Sequence, residues 1–156
     1  MLFMKITGQA YLNACQKNYA GRLEFGEKPH SFWCPASTLT HAYETTLSFA
    51  NGCVLGHCTC PAKIVCKHLA KAVDLDALKL RLIDSHNLTR AQQLRDAALS
   101  AGDTDFANQM DTRIGELSQR SEAHKALQLE IYQLRDCPVV PPSIGRAARD
   151  TQSLAA

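Results

Sequence analysis

Residues 57–73 read HCTCPAKIVCKHLAKAV, a stretch that places three cysteines and a histidine within eleven positions. Side chains of these types, this close together, indicate a disulfide framework, a reactive thiol or a metal site. Each of the three predicts a different kind of protein, so the rest of the sequence has to decide between them.

The composition is that of an ordinary globular chain. Its 156 residues are 46% hydrophobic and 21% charged, close to the averages for a single domain with a core of its own. The formal net charge of +2 is too small to indicate a nucleic-acid partner by bulk electrostatics, but it leaves room for a local basic patch. Neither a signal peptide nor a run approaching the ~18 apolar residues of a membrane span is visible. We therefore expect an intracellular, cytoplasmic protein with no membrane partner.

The cysteines are better explained by a metal than by disulfides. In a reducing compartment an odd number of cysteines, here seven, is a poor disulfide framework, and a cluster of them indicates a metal-binding or catalytic site. A thiol redox centre at Cys58 and Cys60 is the remaining alternative. However, two cysteines one residue apart are an uncommon redox pair, and no thioredoxin-like βαβ pattern surrounds them. We expect the remaining cysteines to be small, buried, apolar side chains and not ligands: Cys15, Cys34, Cys53 and Cys137.

A β-hairpin is predicted immediately before the cluster. Residues 42–49, AYETTLSF, alternate between side chains suited to a core and polar side chains, as in a half-buried strand. Asn51 and Gly52 are the preferred pair for a two-residue type I′ turn, because both positions need positive φ. The second strand begins at residues 53–55 and leads directly into Cys58.

The spacing within the cluster suits one tetrahedral metal site. Cys58 and Cys60 are two apart at the end of a strand, so their thiols project from the same face. Cys66 and His68 are also two apart, but such a pair would not face one place inside a helix. Cys66 must therefore lie at or just before the first helical turn, with His68 on that turn. Three sulfurs and one nitrogen complete the tetrahedron that a structural Zn²⁺ prefers, and a helix N-terminus favours thiolates.

A zinc ion held by four protein ligands is not expected to be catalytic. A catalytic zinc needs an open coordination position beside an acid or base, and four protein ligands leave none. We therefore expect that the chain is not an enzyme and has no small-molecule substrate.

The pattern C-x-C-x5-C-x-H, with a short hairpin before it and an apolar helix after it, resembles the SWIM-type zinc finger over roughly residues 42–75. In this resemblance Cys58, Cys60, Cys66 and His68 take the four ligand positions. The resemblance implies a ββα arrangement around a Zn²⁺ ion and a role in binding DNA or another protein.

Two surfaces compete for that role. Lys63, Lys67 and Lys71 flank the cluster and would form a basic edge that contacts phosphates. Outlying basic residues are Lys79, Arg81, Arg146 and Arg149. Alternatively, these lysines are a solvated face and the helical half is a protein-interaction adaptor. No Arg, Asn or Gln cluster stands at the start of the first helix to read base edges, so we expect accessory rather than sequence-specific DNA binding.

Three helices are predicted after the cluster. The first follows Cys66 without Gly or Pro as far as Ile83, and two apolar stripes along it predict a helix covered on two sides. The stripes consist of Leu69, Val73, Leu80 and Ile83, and of Leu75, Leu78 and Leu82. A second helix is predicted to begin with Asn87 as its cap. A third begins with Asp103 as its cap and continues to Arg135.

The third helix carries apolar residues at spacings of three and four, interrupted by polar Ser121 and His124. This pattern predicts packing against the first two helices, because an intermolecular coiled coil needs more uninterrupted heptads. The predicted fold class is α+β: a zinc-clamped hairpin and helix follow a short β-rich region, and a helical half follows them. The predicted divisions are a β-rich region 1–41, a SWIM-type finger 42–83, a helical region 84–136 and a flexible tail 137–156.

Overall fold

The computed structural model of the chain describes residues 2–17, 19, 21–36 and 40–136. Its class is α+β, as predicted, with strands in the N-terminal half and helices in the C-terminal half. The described strands are β1 (Met4–Lys5), β2 (Glu24–Phe25), β3 (Ser31–Pro35), β4 (Ala42–Ala50) and β5 (Cys53–Cys58). They form one antiparallel sheet in the order β1-β5-β4-β3-β2.

Helices make up most of the rest of the described chain. They are α1 (Gly8–Cys15), α2 (Lys67–Lys79), α3 (Ser85–Ala101) and α4 (Thr104–Asp136), and a π turn (Leu80–Asp84) joins α2 to α3. Among these described helices, none combines the length and the apolar character needed to cross a membrane. The flexible tail predicted for residues 137–156 lies outside the described residues.

The β4–β5 hairpin forms the centre of the sheet and has the turn that the sequence predicts. Asn51 and Gly52 adopt φ values of 53° and 71°, so both turn positions lie in the left-handed region that a type I′ turn requires. Thr45 of β4 pairs with Cys58 of β5. The register therefore brings Cys58 to the end of the hairpin opposite the turn.

One face of the sheet packs against α2 and α4 and holds the core. Leu47, Val54 and Phe32 lie on this face, with only 3%, 1% and 1% of their surface exposed. They belong to a single apolar cluster that also contains Leu69 of α2 and Leu127 of α4. Removal of these side chains from water is the main favourable contribution to the packing of the helices on the hairpin.

A short helix, α1, lies within the region that is predicted to be β-rich. Thr7 caps it, because its side-chain oxygen accepts a hydrogen bond from the Ala10 backbone N–H at 3.1 Å. The backbone N–H of Gly8 donates to Oε1 of Glu130 in α4 at 2.9 Å, across 122 positions of sequence. The region predicted to be β-rich therefore also contains a helix, which local patterns do not show because its partner is so distant in the chain.

No cap separates α2 from α3. The π turn continues the helix without a break, so the prediction that Asn87 caps a second helix is wrong. Asp84 and Ser85 keep helical backbone angles, with ψ values of −20° and −38°, so no free N–H groups remain for Asn87 to cap. Asn87 instead donates through Nδ2 to Oδ1 of Asp84 at 3.2 Å.

The π turn changes which side chains face the core. Its wider turn rotates the helix surface, so the apolar stripes predicted from an α-helical period no longer align beyond it. Leu69 is fully buried as predicted, but Ile83 is 52% exposed whereas the neighbouring Asp84 is only 6% exposed. On the second stripe, Leu78 and Leu82 are 40% and 60% exposed. The prediction of a first helix covered on two sides is therefore wrong in its C-terminal part.

The helices α3 and α4 form a helical hairpin. Gly102 ends α3 with a φ of 79°, the left-handed conformation that favours glycine after a helix. Asp103 caps α4 as predicted, because its Oδ1 accepts a hydrogen bond from the Phe106 backbone N–H at 3.2 Å. The α4 helix packs on α3, as predicted, and also on α1 and the β4–β5 hairpin. It meets α2, the other predicted partner, through the hydrogen bonds of Arg120 and His124 to Asp76.

A buried charge network of Asp76, Asp84, Arg120, His124 and His30 joins α4 to the rest of the fold. Arg120 is 3% exposed and donates to Oδ2 of Asp76 from Nε at 3.0 Å, while its Nη1 donates to Asp84. Nε2 of His124 donates to Oδ2 of Asp76 at 2.7 Å. Burial alone raises the pKa of Asp76, but hydrogen bonds from His124, His30 and Arg120 outweigh it and hold that pKa well below its usual range. Asp76 is therefore a buried carboxylate that binds α2 to α4.

Candidate metal centre

The candidate metal centre lies where the end of the β4–β5 hairpin meets the start of α2. Cys58 is the last residue of β5. Cys66 is the N-cap of α2, with extended backbone angles of −99° and 170°, and His68 lies on the first helical turn. This is the arrangement that the spacing of Cys66 and His68 predicts.

Cys60 reaches the site by a route different from the predicted one. The backbone N–H of Thr59 still donates to the Glu44 carbonyl at 3.1 Å, but Cys60 lies in the bend that follows. Thr59 Oγ1 also accepts a hydrogen bond from the Glu44 backbone N–H at 2.9 Å, which fixes the last paired residue to β4. The thiol of Cys60 is therefore positioned by the bend and not by a strand face shared with Cys58.

The four side chains form a compact group. One ligand atom from each of Cys58, Cys60, Cys66 and His68 lies within 4.8 Å of all the others. The Sγ atom of Cys58 is 3.7 Å from Nδ1 of His68. With Zn–S bonds of about 2.3 Å and Zn–N bonds of about 2.0–2.1 Å, the ligand atoms of a tetrahedral zinc site lie about 3.6–3.8 Å apart. The group could therefore hold a metal ion of this size with only small side-chain movements.

Most of the group is buried, although a cleft of about 310 Å³ reaches Cys60, Cys66 and His68. Three of the four side chains are buried and that of Cys60 is half-buried. The His68 ring makes a T-shaped contact with Tyr19 at a centroid distance of 4.9 Å and a tilted contact with Tyr43 at 5.1 Å. The two tyrosines therefore fix the orientation of the imidazole, the function that supporting residues have around metal ligands.

The start of α2 favours a thiolate on Cys66. A hydrogen bond with the Cys58 thiol is the largest cause that lowers the pKa of Cys66, to about 5, and the Leu69 backbone N–H lowers it further although burial raises it. The pKa of Cys58 is raised, first by the same hydrogen bond and then by burial. Free N–H groups and the helix dipole at this helix N-terminus also favour negative charge on the Cys66 sulfur. A coordinated cation stabilises thiolates in the same sense.

The other described cysteines lie outside this group. Cys34 is fully buried, as predicted, and its Sγ lies 3.7 Å from Oγ1 of Thr45. Burial raises the pKa of Cys34 to about 11, which disfavours the thiolate that metal binding requires. Cys53 is half-buried, and Cys15 is exposed at the end of α1, so the expectation of burial is wrong for Cys15. Cys137 lies outside the described residues.

Of the three lysines predicted to flank the site, Lys67 lines a cleft together with Cys60, Cys66 and His68. Lys63 and Lys71 are exposed, whereas Lys67 is half-buried with its Nζ 5.6 Å from the centroid of the Tyr19 ring, a cation–π distance. A cleft of about 350 Å³ between the end of α1 and the start of α2 is lined by Lys67, Lys71 and also Lys17. Sequence reasoning missed Lys17 because only the packing of α1 against α2 brings it here.

Of the outlying basic residues, the two that the structure describes lie elsewhere. Lys79 places its Nζ 5.7 Å from the centroid of the Phe25 ring, and Arg81 lines a different cleft, beside α4. Arg146 and Arg149 lie outside the described residues. Lys17 and Lys67 line the cleft that contains Cys60, Cys66 and His68, and Lys71 joins them in the neighbouring cleft, which Asp74 also lines.

Sequence reasoning also missed the buried charge network as a unit. The signal was present, because His124 interrupts the apolar stripe of α4 and Arg120 lies one turn before it. Asp76 likewise stands among apolar residues of α2. Without the fold, however, nothing indicates that these three side chains meet.

A scan against protein-family models, a search of the curated proteins and a search of the solved structures each found no match to this chain.

Proposed function

We propose that this chain is a small intracellular zinc-binding accessory protein of the SWIM-finger type that binds DNA. In this proposal Cys58, Cys60, Cys66 and His68 hold one structural Zn²⁺, and the lysines that flank them in the sequence contact phosphates. The observation that carries the proposal is the convergence of four ligand atoms within 4.8 Å of one another, beside a cleft that Lys17, Lys67 and Lys71 line.

The set of donor atoms supports zinc over a harder cation. Thiolates and an imidazole are ligands that Zn²⁺ prefers, whereas Mg²⁺ and Ca²⁺ take oxygen ligands. Four protein ligands leave no position for a substrate, so the ion would have a structural role: it would tie the end of the hairpin to the start of α2. The proposal therefore assigns no catalysis to the metal.

Charge supports phosphate contacts beside such a site. Three thiolates and a neutral imidazole around Zn²⁺ carry a net charge of minus one, whereas Lys63, Lys67 and Lys71, which are close in sequence, carry plus three, so a surplus of positive charge remains for phosphates. Lysines act on phosphates as point charges and do not distinguish base edges. The start of α2, which would otherwise be free to enter a groove, is occupied by the candidate ligands. The binding proposed here is therefore weak and independent of DNA sequence.

A mobility-shift titration of the zinc-loaded protein with duplex DNA at increasing salt tests this function. With three phosphate contacts, log affinity should fall with log salt at a slope of roughly −2 to −3. Reversal of Lys67 and Lys71 to Glu should flatten the slope by about two units for every DNA sequence and leave the zinc content unchanged. Lys5→Glu, an exposed change on β1, is the matched control and should leave the slope unaltered. Absence of binding by the wild type at low salt would reject DNA as the partner.

The second candidate function is a protein-interaction adaptor in which the metal is purely structural. The observation that favours it is the exposure of three large apolar side chains near the π turn: Leu78, Leu82 and Ile83 are 40%, 60% and 52% exposed. A protein partner of known identity should lose affinity for a Leu82→Glu, Ile83→Glu variant whose melting temperature and zinc content equal those of the wild type. An unchanged affinity would count against this surface.

A further inference from the structure

The helices that carry the buried charge network also enclose a cleft. It has a volume of about 450 Å³ and lies between the π turn and α3 on one side and α4 on the other. Small-molecule sites typically have volumes of about 300–1,000 Å³. Arg120 of α4 binds both Asp76 of α2 and Asp84 of the π turn, so the two walls are fixed before any ligand arrives. Single π turns within α-helices are frequent at functional sites.

The cleft combines an apolar wall with a cationic rim. Leu80, Leu88 and Leu117 supply apolar surface from three different helical segments. Arg81 and Lys125 are exposed at the rim, and neither forms an ion pair with another residue in the described part of the chain. Two uncompensated positive charges beside apolar surface suit a ligand with an anionic group and an apolar body.

The acidic side chain in this lining does not cancel those charges. Asp84 is 6% exposed, and both of its carboxylate oxygens already have partners. Oδ2 accepts from Arg120, and Oδ1 accepts from Asn87 at 3.2 Å. Its negative charge is therefore directed into the network and away from the rim.

His124 supplies an unused polar atom in the same lining. It is 2% exposed, and its Nε2 donates to Oδ2 of Asp76 at 2.7 Å. Its Nδ1 is buried and has no hydrogen-bond partner among the described residues, which is unfavourable for a polar atom removed from water. A neutral imidazole with its proton on Nε2 accepts at Nδ1 from a carboxylic O–H, and an imidazolium donates from Nδ1 to a carboxylate. A carboxyl group that reaches this atom can therefore pair with it in either state.

We infer that this cleft is a binding site for a small carboxylic acid with an apolar body. Its carboxyl group lies toward Arg81, Lys125 and the Nδ1 atom of His124, and its apolar part packs against the three leucines of the wall. The site is separate from the candidate metal centre and does not depend on the function proposed above.

Octanoate is the probe, and octanol, which has the same chain without the charge, is its matched control. Binding to the zinc-loaded full chain is measured by calorimetry and by the ¹⁵N resonances of the histidine side chains. Octanoate should bind at one saturable site and shift the Nδ1 resonance of His124, and octanol should bind at least tenfold more weakly. Absence of saturable octanoate binding, equal affinity for octanol, or an unmoved His124 resonance would overturn the inference.

Variants of the rim locate the site. An Arg81→Gln, Lys125→Gln double variant changes only exposed side chains and should weaken octanoate binding about tenfold without affecting octanol. Arg135→Gln is the control, because Arg135 is an exposed cation of α4 that lines a neighbouring cleft on the other side of His124. If Arg135→Gln weakens binding and the double variant does not, octanoate occupies the neighbouring cleft and the assignment is wrong.

Discussion

Gly56 of β5 lies so close to Leu69 of α2 that a Cβ atom on Gly56 would be 2.7 Å from the Cδ2 atom of Leu69. The same Cβ would be 2.9 Å from Cδ1 of Ile6. Neither separation leaves room for a side chain, so glycine is what allows α2 to pack this closely on the hairpin. Cys58 follows Gly56 by two residues, and His68 directly precedes Leu69. The close packing at Gly56 therefore also positions the candidate metal centre.

Replacement of Gly56 by Val should therefore move α2 away from β5. We expect a loss of about 1–3 kcal/mol in the free energy of unfolding, the usual cost of overpacking a core, together with weaker metal retention. Urea unfolding and competition with a chelator measure the two effects. Gly52→Ala is the control, because Gly52 has open space around it but a φ of 71°. It should cost about 1 kcal/mol through backbone strain and leave metal retention unchanged.

Single substitutions should define the ligand set. Cys58→Ser, Cys60→Ser, Cys66→Ser and His68→Gln should each reduce bound zinc well below one ion per chain, because each removes a donor from a closed site. Cys34→Ser is the strictest control, since Cys34 is fully buried and its sulfur lies outside the group. Metal analysis of the purified variants gives the result. Full zinc content in the Cys60→Ser protein would show that the bend does not contribute a ligand.

Arg120→Met should be strongly destabilising, because it leaves the Asp76 carboxylate buried with too few partners. Breaking a buried ion pair on one side costs about 3–5 kcal/mol, which urea unfolding resolves readily. An Arg120→Met, Asp76→Asn double variant should be more stable than Arg120→Met alone. Arg113→Met, on the exposed surface of α4, is expected to change stability by no more than about 0.5 kcal/mol. Equal stability of the Arg113 and Arg120 variants would contradict the structure of the network.

Stability should also depend on Asp76 at acid pH. The pKa of Asp76 in the folded protein is held well below the ordinary value of about 3.9. The resulting stabilisation is fully present at pH values above that ordinary value and is lost as the pH falls toward the lower, folded-state pKa. Urea midpoints of the wild type and of Asp76→Asn, compared at each pH from 7 to 3, isolate this contribution, because acid release of metal affects both proteins. The difference in stability should shrink below about pH 4.

The parts of the fold that were predicted correctly depend on residues close together in the chain. The type I′ turn needs only Asn51 and Gly52, and the cap of α4 needs only Asp103 and the N–H groups next to it. The position of Cys66 before α2 follows from its spacing to His68, since two helical residues at that spacing cannot share a face. Each of these features is decided by the stereochemistry of a few adjacent residues. They can therefore be predicted from the sequence alone.

The parts that were missed depend on contacts between distant residues. The α1 helix is held by a hydrogen bond from Gly8 to Glu130, and Arg120 meets Asp76 across 44 positions. The π turn shifts the helical period, so apolar stripes that look continuous in the sequence place Ile83 at the surface. The bend that carries Cys60 into the site has no periodic pattern at all. Residue propensity and hydrophobic periodicity depend on neighbours in the chain. They therefore do not predict contacts between residues that are distant in the sequence.

The order of these elements along the chain has a consequence for biosynthesis. All four candidate ligands are synthesised before the first residue of α4, and the chain segments between them are short, so closing them around an ion costs little entropy. At about 5–20 residues per second, α4 is completed only seconds later. Until then the Arg120 guanidinium, which binds Asp76 in the folded chain, is not available. A zinc ion bound by Cys58 and His68 would thus fix the position of the hairpin against α2 on the nascent chain. The hydrogen bonds from Arg120 to Asp76 and Asp84 would form last.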